Sequence, residues 1–252
     1  MLAIVRQKFG IPIDEIFFAS DPHSTKSRSP VSFFVQASTK APGFYPFKTQ
    51  VIDLSQDLTQ LFSSLSSNTR YKIRRAEREG IVPHAEGNPS EQEVLAFSDF
   101  FDEFAQQKRQ PLSNRRKLKA LRAEKGLLLT GAYDQNNQLL VAHAYVADTH
   151  IGRVRLLYSA SHFRGSSDTE ERNRIGRANR LLHWFDIETA KRSGFTRYDL
   201  GGVPIDQSDP EKNAIARFKS EFGGEHVIEY NGYLSTNRLL QYCLPTLRRI
   251  FT

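Results

Sequence analysis

The sequence predicts an α+β protein built on a mixed, mostly antiparallel sheet flanked by helices. From Glu91 onward the apolar pattern runs helix, helix, strand, strand, strand, helix, strand, helix, strand. The first two of these strands, residues 127–133 and 139–147, join through Asp134-Gln135-Asn136-Asn137, an antiparallel hairpin signal. A long helical pattern then separates a third strand, 153–160, from a fourth at 197–200. A crossover of that length delivers a parallel neighbour.

In chain order, residues 1–56 read as β-rich and loop-rich. Ile16-Phe17-Phe18, 31–35 and 47–52 are apolar or alternating runs, separated by Asp21-Pro22, the polar stretch 24–30 and Ala41-Pro42-Gly43. Residues 53–80 carry helical spacing through Leu58, Leu61 or Phe62, Leu65, Ile73 and Ala76, and Gly80 stops the pattern. Polar residues 66–70 split it into two helices. Ile81-Val82-Pro83 is a short strand. Ser90 caps an amphipathic helix to about residue 107, with Val94, Phe97, Phe101 and Phe104 on one face, and a second helix covers 114–124. After the three meander strands, a polar loop at 161–174 leads to a helix at 175–192 with Gly194 just past its end. Strand 197–200, a short helix at 211–222, strand 226–230 and a basic amphipathic tail at 237–251 complete the chain. The organisation divides into a β-rich portion with a basic helix, 1–88, and a second portion, 89–252.

Composition bounds the function. The chain has 252 residues, 39% hydrophobic and 25% charged, enough to bury a full core. A net charge of +7 favours phosphate-bearing partners, RNA or an anionic membrane surface. One cysteine, Cys243, excludes an internal disulfide and suits a reducing compartment. No run is apolar enough for a membrane span, and the first residues lack a signal-peptide core, so a cytoplasmic protein is expected. The tail, with Leu239, Leu240, Cys243, Leu247 and Ile250 beside Arg238, Arg248 and Arg249, could lie on the inner face of a membrane or dock on the protein's own core. The seven histidines show no paired-ligand spacing, so no metal is expected.

The densest chemistry lies between Tyr198 and Glu225. A strand ending in Asp199 runs into Gly201-Gly202, and a helix opened by Asp209-Pro210 carries Phe218-Lys219 before Gly223-Gly224. Lys219 sits one residue off the apolar face set by Ile215, Phe218 and Phe222. It could supply a fixed positive charge to a developing oxyanion, or be a solvated helix lysine. Asp199 could act as a base, or cap the glycine turn. Tyr158, near the end of the third meander strand, could protonate a leaving group, or pack in the core. In the basic helix, Arg70, Arg74 and Arg78 share one face with Arg75 beside them, either a phosphate-binding stripe or a solvated face.

Three segments together carry a resemblance. They are the basic run 68–81 ending in a glycine before a strand; Leu157-Tyr158-Ser159-Ala160-Ser161 with the helix around Ala178-Asn179-Arg180; and Asp-x-Gly-Gly at 199–202 with Phe-Lys-x-x-Phe-Gly-Gly at 218–224. In this order they resemble the FemABX-like branch of the GNAT acyltransferases, which includes peptidoglycan aminoacyl-transferases and envelope or exopolysaccharide acetyltransferases. The resemblance implies a GNAT-like fold, complete in residues 89–252 and partial in the N-terminal portion. It implies transfer of an acyl, acetyl or aminoacyl group to an amine or hydroxyl of a cell-envelope or polysaccharide precursor. Lys219, Asp199 and Tyr158 would be the catalytic residues, and Arg70, Arg74, Arg75, Phe218, Gly201 and Gly202 would contact the phosphate-bearing or lipid-linked acceptor. The donor would be acyl-CoA, with acetyl-CoA foremost, or an aminoacyl-tRNA. For coenzyme A, the pyrophosphate turn at a helix start would fall on Arg174, Gly176, Arg177, Ala178 and Asn179. A different class, a non-catalytic RNA- or partner-binding protein on the same scaffold, would use the basic helix alone.

Overall fold

The computed structural model describes residues 1–8, 10–162, 168–206 and 208–235. Ten strands form one mixed sheet: β1 (Ala3–Lys8), β2 (Ile11–Phe17), β3 (Val31–Ala37), β4 (Tyr45–Asp53), β5 (Val82–Glu86), β6 (Leu127–Tyr133), β7 (Leu139–Asp148), β8 (Arg153–Ser161), β9 (Arg197–Gly202) and β10 (Glu225–Ser235). Their spatial order is β1-β2-β3-β10-β4-β9-β8-β7-β6-β5, and only the β2–β3 and β8–β9 pairs are parallel. The predicted meander and its parallel fourth strand are present as β6, β7, β8 and β9. Strand β1 was not expected from the sequence. The last strand, β10, is inserted between β3 and β4, so strands from both sides of residue 88 share one sheet. The tail at 237–251 lies outside the described residues.

Each helix begins where its cap chemistry dictates. Asp57 and Gln60 close a capping box on α1 (Leu58–Ser64), and Ser66 caps α2 (Ser67–Arg78), so the polar run does split the helical pattern. Ser90 and Glu93 form the same box on α3 (Glu91–Lys108), and Asn114 caps α4 (Arg115–Ala123). Asp168 caps α5 (Thr169–Arg192), whose start therefore precedes the expected residue 175. Asp209 caps α6 (Pro210–Ser220), with proline in the first turn, where its missing N–H costs no hydrogen bond.

The sheet separates two layers. Helix α5 packs on α2 and on strands β5 to β8. It buries Ile175, Ala178, Leu181, Leu182, Ile187 and Ala190 with Val141, Tyr145, Val154, Tyr198 and Leu200 of the sheet. At about 1.5–3 kcal/mol for each large aliphatic side chain removed from water, this face is the main stabilising layer. Helices α3 and α4 cover the opposite face, where Phe97, Phe101, Leu118 and Leu121 meet Leu127, Leu129, Ala142 and Ala144. Among the described residues, no helix is long and apolar enough to cross a membrane.

Two irregularities shape the middle of the sheet. Strands β8 and β9 pair only from Arg153 to Arg155 against Arg197 to Asp199. Immediately beyond, β8 bulges: Tyr145 faces Leu156 and Ala144 faces Tyr158, leaving Leu157 without a cross-strand partner. The two parallel strands thus part where the glycine turn of β9 begins.

Candidate active site

Lys219 is positioned by α6 over the end of β9. Its Nζ donates to the Gly202 carbonyl at 2.7 Å, and Gln50 on β4 donates to the backbone carbonyls of Lys219 at 2.9 Å and Gly223 at 2.5 Å, tying the helix end to the sheet. Burial pushes the Lys219 amine down to about 8; the Asp199 carboxylate opposes that shift and Arg155 adds to it. Gly201 adopts φ +79°, and a Cβ there would lie 3.2 Å from the Leu156 carbonyl and 3.7 Å from Lys219 Nζ. A Cβ on Gly202 would meet the Phe47 ring at 2.8 Å. The glycine turn therefore lets β9, β8 and the lysine approach closely, as the residue types suggested. Phe218 turns away, packing 5.3 Å from Phe222 and 5.6 Å from His183 between ring centroids, with Arg180 stacked 4.9 Å over it.

Asp199 is fully buried and saturated with donors. Its Oδ1 accepts from Thr49 Oγ1 at 2.5 Å and from the Gly201 N–H at 2.7 Å; its Oδ2 accepts from Gln36 Nε2 at 2.8 Å and Arg153 at 2.6 Å. Desolvation would raise its pKa, but Arg153 and Arg155 with these hydrogen bonds hold it below the usual carboxylate range. The bland alternative, a carboxylate capping the glycine turn, describes its geometry, and a proton-accepting role has no free oxygen to work with. Arg153 also binds Glu229 at 2.6 Å, and Gln36 bridges to Glu229 at 2.8 Å. Gln36 itself holds φ +56°, its N–H bonded to Asn231 Oδ1 at 2.7 Å, so the network fixes a strained backbone position.

Tyr158 lies beyond the bulge on the α3 side. Its hydroxyl accepts the Asn114 N–H at 3.1 Å, its ring packs 4.6 Å from Phe101, and burial raises its pKa. No hydrogen bond or ring contact joins it to Lys219 or the glycine turn among the described residues.

The residues expected to form a pyrophosphate turn are placed otherwise. Arg174, Gly176, Arg177, Ala178 and Asn179 stand inside α5, past its first turn, where backbone N–H groups are committed to the helix. Arg174 binds Asp134 at 3.1 Å and Glu171 at 3.3 Å, and Arg177 binds Glu79 and Glu170, each at 2.8 Å. Ala178 is core, and Asn179 Oδ1 meets His143 Nε2 at 3.0 Å. The Gly-Arg-Ala spacing matched the motif by sequence but missed the helix start, which the Asp168 cap sets.

The basic helix is also partly spent on structure. Arg70 donates to the carbonyls of Ser63, at 2.7 Å, and Leu65, closing the end of α1. Arg75 pairs with Glu79 at 2.8 Å and Glu170 at 3.1 Å, while Arg74 stacks 5.4 Å over Phe62. None of the three bonds to Lys219.

Three groups had not been singled out from the sequence. Arg155 lies 5.6 Å over the Phe47 ring beside the glycine turn. Lys117 binds Glu15 at 2.5 Å, and Arg6 pairs with the same carboxylate. Beneath α5, His143, Tyr145, Asp186, His183 and Tyr198 form a buried chain. Asp186 Oδ2 meets His143 Nδ1 at 2.7 Å and the Tyr145 hydroxyl at 2.5 Å; Tyr145 meets Tyr198 at 2.8 Å, and Tyr198 meets His183 Nδ1 at 3.0 Å. Burial and His143 hold His183 well below its ordinary pKa, so it is neutral. The His143, His183 and Asp186 ligand atoms lie within 4.8 Å of one another, so these residues could hold a cation, although nearly all are engaged in the network. Spacing in sequence could not reveal them, because they come from β7 and α5.

A mixed sheet whose parallel strands part at a bulge, with the crossover helix α5 behind, is a GNAT-like fold. No family model and no curated protein matches the sequence. Among solved structures the chain is similar to FemX, with TM-score 0.59 and 14% identity over 79% of this chain and 64% of that one. It is also similar to L-PGS from Bacillus licheniformis, with TM-score 0.54 and 14% identity over 87% and 72% of the two chains. For the C-terminal domain (DUF2156) of a putative lysylphosphatidylglycerol synthetase from Agrobacterium fabrum, the values are TM-score 0.56 and 11% identity over 97% and 84%. The chain thus spans 64% of the FemX chain's length, and at these identities the likeness is one of fold.

Proposed function

We propose that this protein is an acyltransferase that moves an acyl or aminoacyl group onto an amine or hydroxyl, with Lys219 stabilising the oxyanion that forms on the acyl carbon. The observation that carries the reading is the half-buried Lys219 ammonium at the opening between β8 and β9, bonded among the described residues only to the Gly202 carbonyl. A cation held in partly desolvated surroundings is worth far more to a developing negative charge than one in water. The acceptor nitrogen or oxygen attacks the acyl carbon directly. That new bond forms as the carbon–sulfur or carbon–oxygen bond to the donor breaks, and the acceptor's proton ends on the departing sulfur or oxygen. Asp199, the carboxylate that acts on Lys219, is fully hydrogen-bonded, so no side chain is assigned as the base.

The donor is an acyl-CoA thioester or an aminoacyl-tRNA. The acceptor is a phosphate-bearing or lipid-linked precursor of envelope or polysaccharide, met by a cytoplasmic protein at the inner face of the membrane. The neighbour named as a putative lysylphosphatidylglycerol synthetase, an enzyme named for a phosphate-bearing lipid, motivates this substrate class. The RNA-binding alternative loses support because Arg70 and Arg75 are engaged within the protein.

Calorimetric titration with a panel of acyl-CoA thioesters and with aminoacyl-tRNA, followed by transfer assays on amine and hydroxyl acceptors, tests the reading. Transfer that is lost in Lys219→Met supports it. Absence of transfer from both donor classes would remove the enzymatic reading.

A further inference from the structure

We propose that Arg155 and Lys219 form a two-cation seat for an anionic group, a phosphate or a carboxylate, carried by the substrate next to the transferred acyl. The proposal rests on the acyl-transfer reading only for what lies beside the seat.

The two side chains come from different elements and flank the place where Phe47 packs on Gly202. Arg155 precedes the β8 bulge, with its guanidinium 5.6 Å from the centre of the Phe47 ring. Phe47 is the ring that a Cβ on Gly202 would strike at 2.8 Å, and Gly202 is the residue whose carbonyl Lys219 holds at 2.7 Å. Arg155, Phe47, Gly202 and Lys219 all keep partial exposure, so this place is reachable from outside.

Neither cation has a carboxylate partner among the described residues. Arg155 makes no ion pair, and its buried Nε has no hydrogen-bond acceptor. The carboxylates facing this region are already held: Asp199 by Arg153, Gln36, Thr49 and the Gly201 N–H, Glu229 by Arg153 and Gln36, and Glu15 by Lys117 and Arg6. Among the described residues, five cations (Arg6, Lys117, Arg153, Arg155 and Lys219) thus stand against three carboxylates. Two neighbouring cations withdrawn from water without counter-charge repel each other, and an anion between them relieves both the repulsion and the lost hydration. Arg155 offers the planar fork that suits a phosphate or carboxylate, and Lys219 adds a point charge.

The test needs no acyl donor, so its failure is separable from failure of the transfer reading. Lys219 is methylated reductively with formaldehyde and dimethylamine borane at pH 8, and modification at that residue is followed by mass spectrometry. The reaction is run in sodium chloride, in inorganic phosphate and in acetate at matched ionic strength. An anion in the seat raises the lysine pKa and slows methylation at pH 8 about fivefold for the first unit of rise above about 8, and about tenfold for each further unit. Stronger protection by phosphate assigns the seat to a phosphoryl group, and stronger protection by acetate assigns it to a carboxylate. Arg155→Gln loses the protection while Lys219 still reacts in chloride, and Arg155→Lys keeps part of it. Equal rates in all three salts, or full protection in Arg155→Gln, would overturn the proposal. Protection without acyl transfer would keep the seat and discard the transfer reading; transfer without protection would do the reverse.

Discussion

Arg153 and Arg155 stand two residues apart on one face of β8, yet Arg153 is gripped by Asp199 and Glu229 at 2.6 Å each while Arg155 pairs with no carboxylate among the described residues. The first builds the sheet's centre and the second faces the opening between β8 and β9. That contrast separates residues that hold the site from residues that face its contents.

Replacing Lys219 by methionine should lower the transfer rate by about 10²–10³-fold, the usual loss when one oxyanion-stabilising group is removed. The same change takes a charge out of partly desolvated surroundings, so the melting temperature should hold or rise. Steady-state kinetics and a thermal melt on one preparation check both. A rate within a few-fold of wild type would exclude Lys219 from the chemistry.

The pH dependence of rate and stability should run in opposite directions. The Lys219 amine titrates at about 8 in the folded protein, against 10.5 ordinarily. Between these values the unfolded chain holds a proton that the folded one lacks, so this residue's contribution to stability rises with pH across the window. A rate that needs the ammonium instead falls as pH passes about 8. Urea midpoints and kcat measured from pH 6.5 to 10 should show the two trends, and Lys219→Met should abolish both.

Asp199→Asn should act on folding before it acts on catalysis. It leaves Arg153 short of a buried partner, a loss on the order of 3–5 kcal/mol when one member of a buried ion pair is removed. Chemical denaturation reads this directly. Were Asp199 a general base, the variant would lose rate beyond what its stability loss explains, with the acidic limb of the pH profile altered.

Gly176→Ala and Gly224→Ala should move stability in opposite senses. Gly176 sits in α5 with open space where a Cβ would go, so alanine should stabilise by about 0.5–1 kcal/mol. Gly224 holds φ +84° with the Val51 carbonyl in the path of a Cβ, and alanine there should cost about 1–3 kcal/mol. A loss of donor binding in Gly176→Ala, with folding intact, would reinstate a pyrophosphate turn at that position.

Much of the fold was legible because it rests on local signals. Ser90 with Glu93 announces α3, the Asp134–Asn137 turn announces the β6–β7 hairpin, and a helix before residue 197 announces a parallel strand. Lys219 and the Gly201–Gly202 turn stood out because a lysine beside an apolar helix face and two adjacent glycines are unusual in a short segment. The start of α5 was misread because Thr169–Arg174 is polar throughout, so periodicity could not find what the Asp168 cap decides. Arg155 was passed over because an arginine in a strand looks like any residue on a solvent face until its neighbours are known. The pairing of Asp199 with Gln36 spans most of the chain, and no local pattern encodes it.

The insertion of β10 between β3 and β4 orders events during synthesis. Tyr230 pairs with Ala37 on one side and Pro46 on the other, so β3 and β4 are separated by a strand that emerges from the ribosome after the nine others of the sheet. Until it arrives, both carry unpaired edges that can recruit strands from other chains. The first fifty residues must wait as a nascent, aggregation-exposed segment, while β6 to β9 with α5 can assemble ahead of them. A chain released before residue 225 would therefore be missing the centre of its sheet rather than its end.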